Sequence, residues 1–524
     1  MPSLEELENL STDDLDKALG LRPKFDIPRG ARRSLEQVGI LAPDEGGLPT
    51  QALARQPGAL VQAALAGIDG PLVSRWGHIM LRRALSSRLA APEGLGPVRF
   101  AALRASVLNS MGEHAAARAL VQDIDTANWD DPLTNAALDA YLGTADIVGA
   151  CPVVRISDSD RDDAQWQMLQ AICNAYSGET SRAGTDLTRM LRRGAAPEID
   201  VLLAQRYAGA AGQGRRAVNL EWDGVEQLTP WRFAMATALG AELPDDLASD
   251  LSPYYRRVSA LSPAVPLEQR MEGAELAASD GILSSRAYID LHSQAYAAGD
   301  GGPMASRLRD AYVEGDPAAR LAAIRDVWGG AEVTQPGYPR HILTAYAAAR
   351  MPANEAFVED AGLLVASMLS AGLDRDALEW GSIVPQGSLA WAQLVLAQPN
   401  RSNPVSEGAV ERFIGDDESD GQRKSAFLLA GLAGLGRIDN DASADLADDL
   451  GIDLTRETRW SRLISRSADA GNPVLVAYFA GLGMQGSSWE QMTPRHLFHI
   501  VSALHRVGLS AEARMIAAEA VARG

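Results

Sequence analysis

Asp160-Arg161-Asp162-Asp163 has the spelling with which some all-α cyclases place a carboxylic acid to protonate an alkene. Such chemistry needs a pocket of aromatic faces that stabilise carbocations, and aromatic residues make up only 6% of this chain. The plainer role of these residues is to put negative charge in the first turn of a helix from Asp162 to Ser177, where the helix dipole favours it. Two stretches imitate the opening of a calcium-binding EF-hand loop: Asp158, Asp160 and Asp162, and then Asp416, Glu418, Asp420 and Gly421. Their twelfth positions are Leu169 and Phe427, which cannot supply the bidentate carboxylate such a loop requires.

His496 and His499 lie one helical turn apart behind Thr493-Pro494 and could share a metal. His505 is rotated to the opposite face of the same helix, and no acid lies between the three, so core-edge or surface histidines are the better reading. Gly212-Gln213-Gly214-Arg215-Arg216-Ala217 matches the letters of a dinucleotide-binding turn. That turn needs a strand before it and an acid about 20 residues on; Leu203 to Ala211 reads as helix, and Phe233 to Ala238 contains no acid. Lys424 follows Arg423 without a phosphate cradle, and no Gly-x-Ser-x-Gly, Cys-x-x-Cys or His-Glu-x-x-His occurs. No catalytic residue, cofactor or metal ligand set is therefore expected.

Cys151 and Cys173 are the only cysteines, 22 positions apart. They either close one disulfide, which implies an oxidising compartment and a removed leader, or stay as buried thiols; spacing alone leaves both open. Ten tryptophans are spread along the chain, most of them expected as packing anchors. Trp222 and Trp231 bracket an irregular stretch and are the candidate partner-binding surface.

The elements that must position these residues read as helices. With 524 residues and 46% apolar content the chain can bury a large core, but single cores rarely exceed about 250–300 residues, so several domains or an elongated core is expected. Abundant alanine and sparse aromatics favour close helix packing over sheets. Pro97, Pro132, Pro230 and Pro253 sit where a first helical turn tolerates a missing amide, and Thr229-Pro230, Ser252-Pro253, Ser262-Pro263 and Thr493-Pro494 repeat the signal. The formal charge is −20 with no long basic cluster, which argues against nucleic acid. Only Lys17, Lys24 and Lys424 are lysines, as fits a GC-rich genome. No run of about 18 apolar residues marks a membrane span. The acidic N-terminus lacks a secretory pattern, which predicts a cytoplasmic protein unless a leader was removed and the cysteines are bonded.

Five times an apolar run breaks at a glycine: Gly112, Gly178, Gly372, Gly436 and Gly508. At four of them an alanine follows five residues later, namely Ala117, Ala183, Ala377 and Ala513; Gly436 lacks the match. The glycine suits a left-handed turn closing one helix, and the small side chain lets the next helix approach. The steps between these glycines are 66, 194, 64 and 72 residues, near multiples of the 32 to 36 residues of two-helix repeats. Gly112-Glu113 with Ala117, and Gly508 with Ala513, resemble the hairpin turn of tetratricopeptide-like α-solenoids. The resemblance covers about a third of the chain, lacks that family's larger aromatic positions, and carries over no binding residue.

The expected fold is all-α, an irregular α-solenoid of stacked antiparallel helical hairpins preceded by a Pro/Gly-rich strap. Residues 1–57 form a short helix (3–19) and the strap, 58–214 an N-terminal half, and 215–524 a C-terminal half, with a seam in the irregular stretch around Trp222. In such families the concave surface generally binds a protein or peptide, so the resemblance implies a non-enzymatic scaffold or adaptor. Two alternatives stand beside it: an all-α toroid or cyclase-like enzyme using Asp160, Asp162, Asp163 or His496 and His499 in an acidic central cavity, and a structural periplasmic protein.

Overall fold

The computed structural model describes residues 32–156, 161–211, 218–299, 301–334 and 336–524. The expected helix over 3–19, the glycine turn at 212–217 with the boundary at 214, and Asp158 and Asp160 lie outside the described residues. Among the described residues the protein is all-α, with 28 α-helices and no strand.

All five glycines take the left-handed conformation, with φ of +81° at Gly112, +96° at Gly178, +76° at Gly372, +64° at Gly436 and +82° at Gly508. The residue after each glycine sends its N–H back to a carbonyl five positions earlier, as in Glu113 N to Leu108 O (2.8 Å) and Leu509 N to Leu504 O (2.9 Å). Where the alanine is present, the next helix begins two residues past the glycine, at His114, Thr180, Asp374 and Ser510. Each of the four alanines is fully buried, and the helices on either side of each turn pack together. At Gly436 the next helix waits until Asn440, capped by Asp439. The extra residues include Arg437, whose guanidinium donates to the carbonyl of Leu396 at 3.0 Å.

The Thr-Pro signals are capped starts: Thr229 Oγ1 accepts from Arg232 N and Thr493 Oγ1 from His496 N, each at 3.2 Å. Ser262-Pro263 is different. Its proline sits in a turn, and the helix begins only at Leu267, behind Pro266.

Residues 32–57 contain one short 3₁₀ turn, Pro43–Glu45, and lie against the end of the Arg75–Ser86 helix. Ile40 N reaches Ser86 O at 2.8 Å, and Arg88 N reaches Leu41 O at 2.8 Å. The buried Arg104 fastens this stretch from beneath, donating to Val38 O and Ser87 O at 2.8 Å each.

Arg75–Ser86 packs against Pro473–Gly483 and Ser510–Arg523 as well as its own neighbour Pro97–Ser110. Glu519, on the last of the 28 helices, caps its N-terminus: Oε1 accepts from Arg75 N at 2.9 Å, and Oε2 from Ser74 Oγ at 2.7 Å and Trp76 N at 3.2 Å. Arg523 closes on Glu519 Oε1 at 2.5 Å and stacks 3.9 Å from the Tyr338 ring centroid. The buried Arg75 side chain adds bonds to the carbonyls of Ser370 (3.2 Å), Leu283 (3.1 Å) and Ala278. Five distant parts of the chain thus meet in one knot. One continuous apolar cluster runs from Val38 to Ala522, with a small satellite of Phe233, Tyr255 and Val258.

Candidate functional site

Beside that knot opens a cleft of about 690 Å³, and one wall of it is the acidic stretch after the Glu407–Gly415 helix. Asp417 shapes this wall. Its Oδ1 accepts from Ser419 N (2.9 Å) and Oγ (2.6 Å), and its Oδ2 accepts from Ser425 N (2.8 Å) and Oγ (2.6 Å). Burial opposes its ionisation, but these four bonds outweigh it and hold its carboxyl below the usual range. Asp417 is thereby committed to the start of the Arg423–Gly434 helix, where negative charge also suits the dipole.

The chain enters that helix through two consecutive left-handed residues, Gly421 (φ +62°) and Gln422 (φ +50°), the latter tied by Nε2 to Ile414 O at 3.0 Å. This turn leaves Asp416, Glu418 and Asp420 exposed on the cleft wall. Glu332 and Glu490 stand exposed on other segments of the rim. None of these five carboxylates forms an ion pair among the described residues. The basic side chains on the cleft are Arg423, Lys424 and Arg523, the last already paired with Glu519.

Trp489 forms part of the lining. It is 3% exposed and packs edge-on to Phe427, ring centroids 5.7 Å apart. Its indole Nε1 is buried and meets no acceptor among the described residues. A buried donor without a partner is costly.

A second recess of about 460 Å³ lies along residues 218–229, with Glu198, Glu221, Asp223 and Glu226 around it. Arg232 faces it from a close pair with Asp200 (2.7 Å). The two tryptophans chosen from sequence part company here. Trp222 is half-buried, one side against the core. Trp231 is a core residue, 5% exposed, its Nε1 donating to Asp200 O at 3.4 Å, so it offers a partner no surface.

The other candidates do not gather. Asp163 caps the Ala164–Tyr176 helix, accepting from Trp166 N at 3.0 Å and pairing with Arg161 at 2.8 Å, and Asp162 is exposed. His496 lies against Trp460 with centroids 4.8 Å apart and shares Thr493 Oγ1 at 2.7 Å. His499 meets the same indole edge-on at 6.4 Å. Burial lowers the pKa of both rings. His505 sits against Ser510 Oγ at 3.0 Å. No group of three or more side chains among the described residues could hold a metal ion. Cys151 and Cys173 are bonded, joining Cys151–Ile156 to Ala164–Tyr176 with Cα atoms 5.3 Å apart.

Sequence reasoning singled out Asp416, Glu418, Asp420 and Gly421 as an imitation of a calcium-binding loop but did not find Trp489, Glu490 or Glu332 as their neighbours, because these come from segments 68 or more residues away. No helix is long and apolar enough to cross a membrane among the described residues. Comparison of the chain with protein-family models, curated proteins and solved structures gives no match.

Proposed function

We propose that this chain is a non-enzymatic helical-repeat scaffold or adaptor: an irregular, tetratricopeptide-like α-solenoid of antiparallel hairpins, strapped by residues before 58, that holds a protein or peptide partner on an extended concave surface. The observation that carries this reading is the five-fold recurrence of one left-handed glycine turn between packed helices. Repetition of that kind produces long continuous surfaces. The open cleft beside Trp489 gives such a surface a place where buried and charged groups converge.

The test is affinity capture of the full chain combined with cross-linking and mass spectrometry. The expected result is a reproducible partner cross-linked to a contiguous helical face. Failure to retain any partner, together with turnover of a small molecule, overturns the reading. The bonded pair Cys151–Cys173 supports an oxidising compartment rather than the cytoplasm. Thiol counting on denatured, unreduced protein from its native source should then give no free thiol, and two would place the chain in a reducing compartment.

A further inference from the structure

We infer that the contact of His114 with Tyr254 is an acid-sensitive latch: protonation of the His114 ring releases the start of the Pro253–Leu261 helix from the hairpin turn at Gly112, ahead of the rest of the molecule. The inference goes beyond the scaffold reading and does not depend on it.

Geometry comes first. His114 opens the His114–Gln122 helix and is 3% exposed. Asn109 Nδ2 donates to Ala136 O at 2.8 Å, which turns Asn109 Oδ1 toward His114 Nδ1 at 3.1 Å; Nδ1 therefore carries the proton of the neutral ring. The other nitrogen, Nε2, is buried and meets no partner among the described residues. A second proton there would place an N–H without an acceptor, and a charge, in the interior. The ring has no room to turn away, since a Cβ at Gly143 would stand 2.2 Å from His114 Cγ.

Three helices hold this ring, and one of them is the weaker wall. Pro97–Ser110 and Asp131–Gly143 pack against each other within the main apolar cluster. Tyr254, edge-on to His114 with centroids 5.4 Å apart, instead belongs with the small satellite of Phe233, Tyr255 and Val258. Beneath it Gly112 faces Arg257 and Ile282, where a Cβ would lie 3.0 Å from each. Opening at Tyr254 thus brings water to the ring while the main cluster stays closed.

The surrounding charges do not offset protonation. The adjoining Glu113 already holds His78 at 2.8 Å and Arg82 at 2.7 Å. From the Pro253–Leu261 helix comes a second cation, Arg257, paired with Asp280 at 2.7 Å. Burial brings His114 down to about 4, with Glu113 opposing and Arg257 assisting. Asp139, which acts on Tyr254 by charge, is raised by burial and opposed by Arg161, so it favours the closed form in acid and works against the latch. For His114 the sign is the reverse: the open form binds the extra proton, so opening gains as the pH falls from about 6.5 toward about 4.

The test is hydrogen–deuterium exchange of the full chain near pH 7 and near pH 5, each rate divided by its intrinsic value at that pH. Amides of Pro253–Leu261 should open about five- to twentyfold more often at the lower pH, the upper figure following from a ring that titrates at about 4 closed and about 6.5 open. They should also stay less protected than those of Ser510–Arg523 at both pH values. His114→Phe fills the place of the ring and His114→Asn keeps a donor toward Asn109; either should flatten the response to under about twofold. His292→Phe removes a buried histidine elsewhere and should leave it intact, a result that is informative even where a His114 variant fails to fold. A rise below about twofold in the parent would overturn the inference. So would a response lost equally in the His114 and His292 variants, because the exchange would then report unfolding of the whole molecule.

Discussion

Asp417 shows how one side chain fixes the shape of a loop that otherwise consists of mutually repelling acids. Two of its four hydrogen bonds satisfy Ser425 at the start of Arg423–Gly434 and two hold Ser419 in the loop before it, drawing both serines to one point. Asp417→Ala should therefore destabilise the protein by about 1–2 kcal/mol, the cost of losing a helix cap. Chemical denaturation measures this, and a change near zero would mean that the Gly421–Gln422 turn holds the loop unaided. The pH dependence has a definite sign. The native pKa of Asp417 lies below its unfolded value, so its contribution is complete above about pH 4 and fades as the pH falls further.

At the scale of elements, the hairpin turns separate backbone from side-chain requirements. A Cβ on Gly508 would meet nothing within 4 Å, so Gly508→Ala should cost only the left-handed backbone strain, about 1 kcal/mol. Ala513, five residues on, is fully buried, and Ala513→Leu should cost about 1–3 kcal/mol by overpacking the interface of the two helices. Urea midpoints of the two variants give the comparison; a larger loss at Gly508 would mean the turn is crowded. These turns were legible because few residues other than glycine accept that φ and because the alanine marks where the second helix starts. Even the exception was informative: Gly436 lacks the alanine, and its following helix begins two residues later than the others. Trp231 was misread for an equally physical reason. The Thr229-Pro230 cap sets its helix correctly, but nothing in the local pattern says which face of that helix meets Asp200 and the core. The cleft was legible only as its acidic loop, since the indole and carboxylates opposite it arrive through tertiary packing.

For the whole molecule the decisive contact joins residues 444 positions apart, from Arg75 to Glu519. No periodicity announces it, because a serine-capped helix and a glutamate on a C-terminal helix are ordinary features until the fold brings them together. Glu519→Gln retains the shape but leaves Arg523 and Arg75 buried beside a neutral group, which should cost about 3 kcal/mol or more. Urea unfolding of this variant should show a lower midpoint and one unchanged cooperative transition, since early and late helices share the knot; two separated transitions would show that the ends unfold independently. Acid tests the same shared stability from sites spread along the chain. Burial brings His114, His292 and His341 down to about 4. Unfolding returns them to about 6.5, so between these values the unfolded chain binds more protons and stability falls as the pH drops. Each histidine adds a slope of up to about 1.4 kcal/mol per pH unit in that window. The buried Glu113, held low by His78 and Arg82 against the opposing effect of burial, adds its own loss only below about pH 4.5. The melting temperature should accordingly fall steeply from pH 6 to pH 4.5. His292→Phe, which keeps a ring beside Tyr288, should make that descent shallower by the share of one histidine. An unchanged slope would mean that His292 gains water and its ordinary pKa before the rest of the molecule opens, and that the last part of the core to hold lies elsewhere.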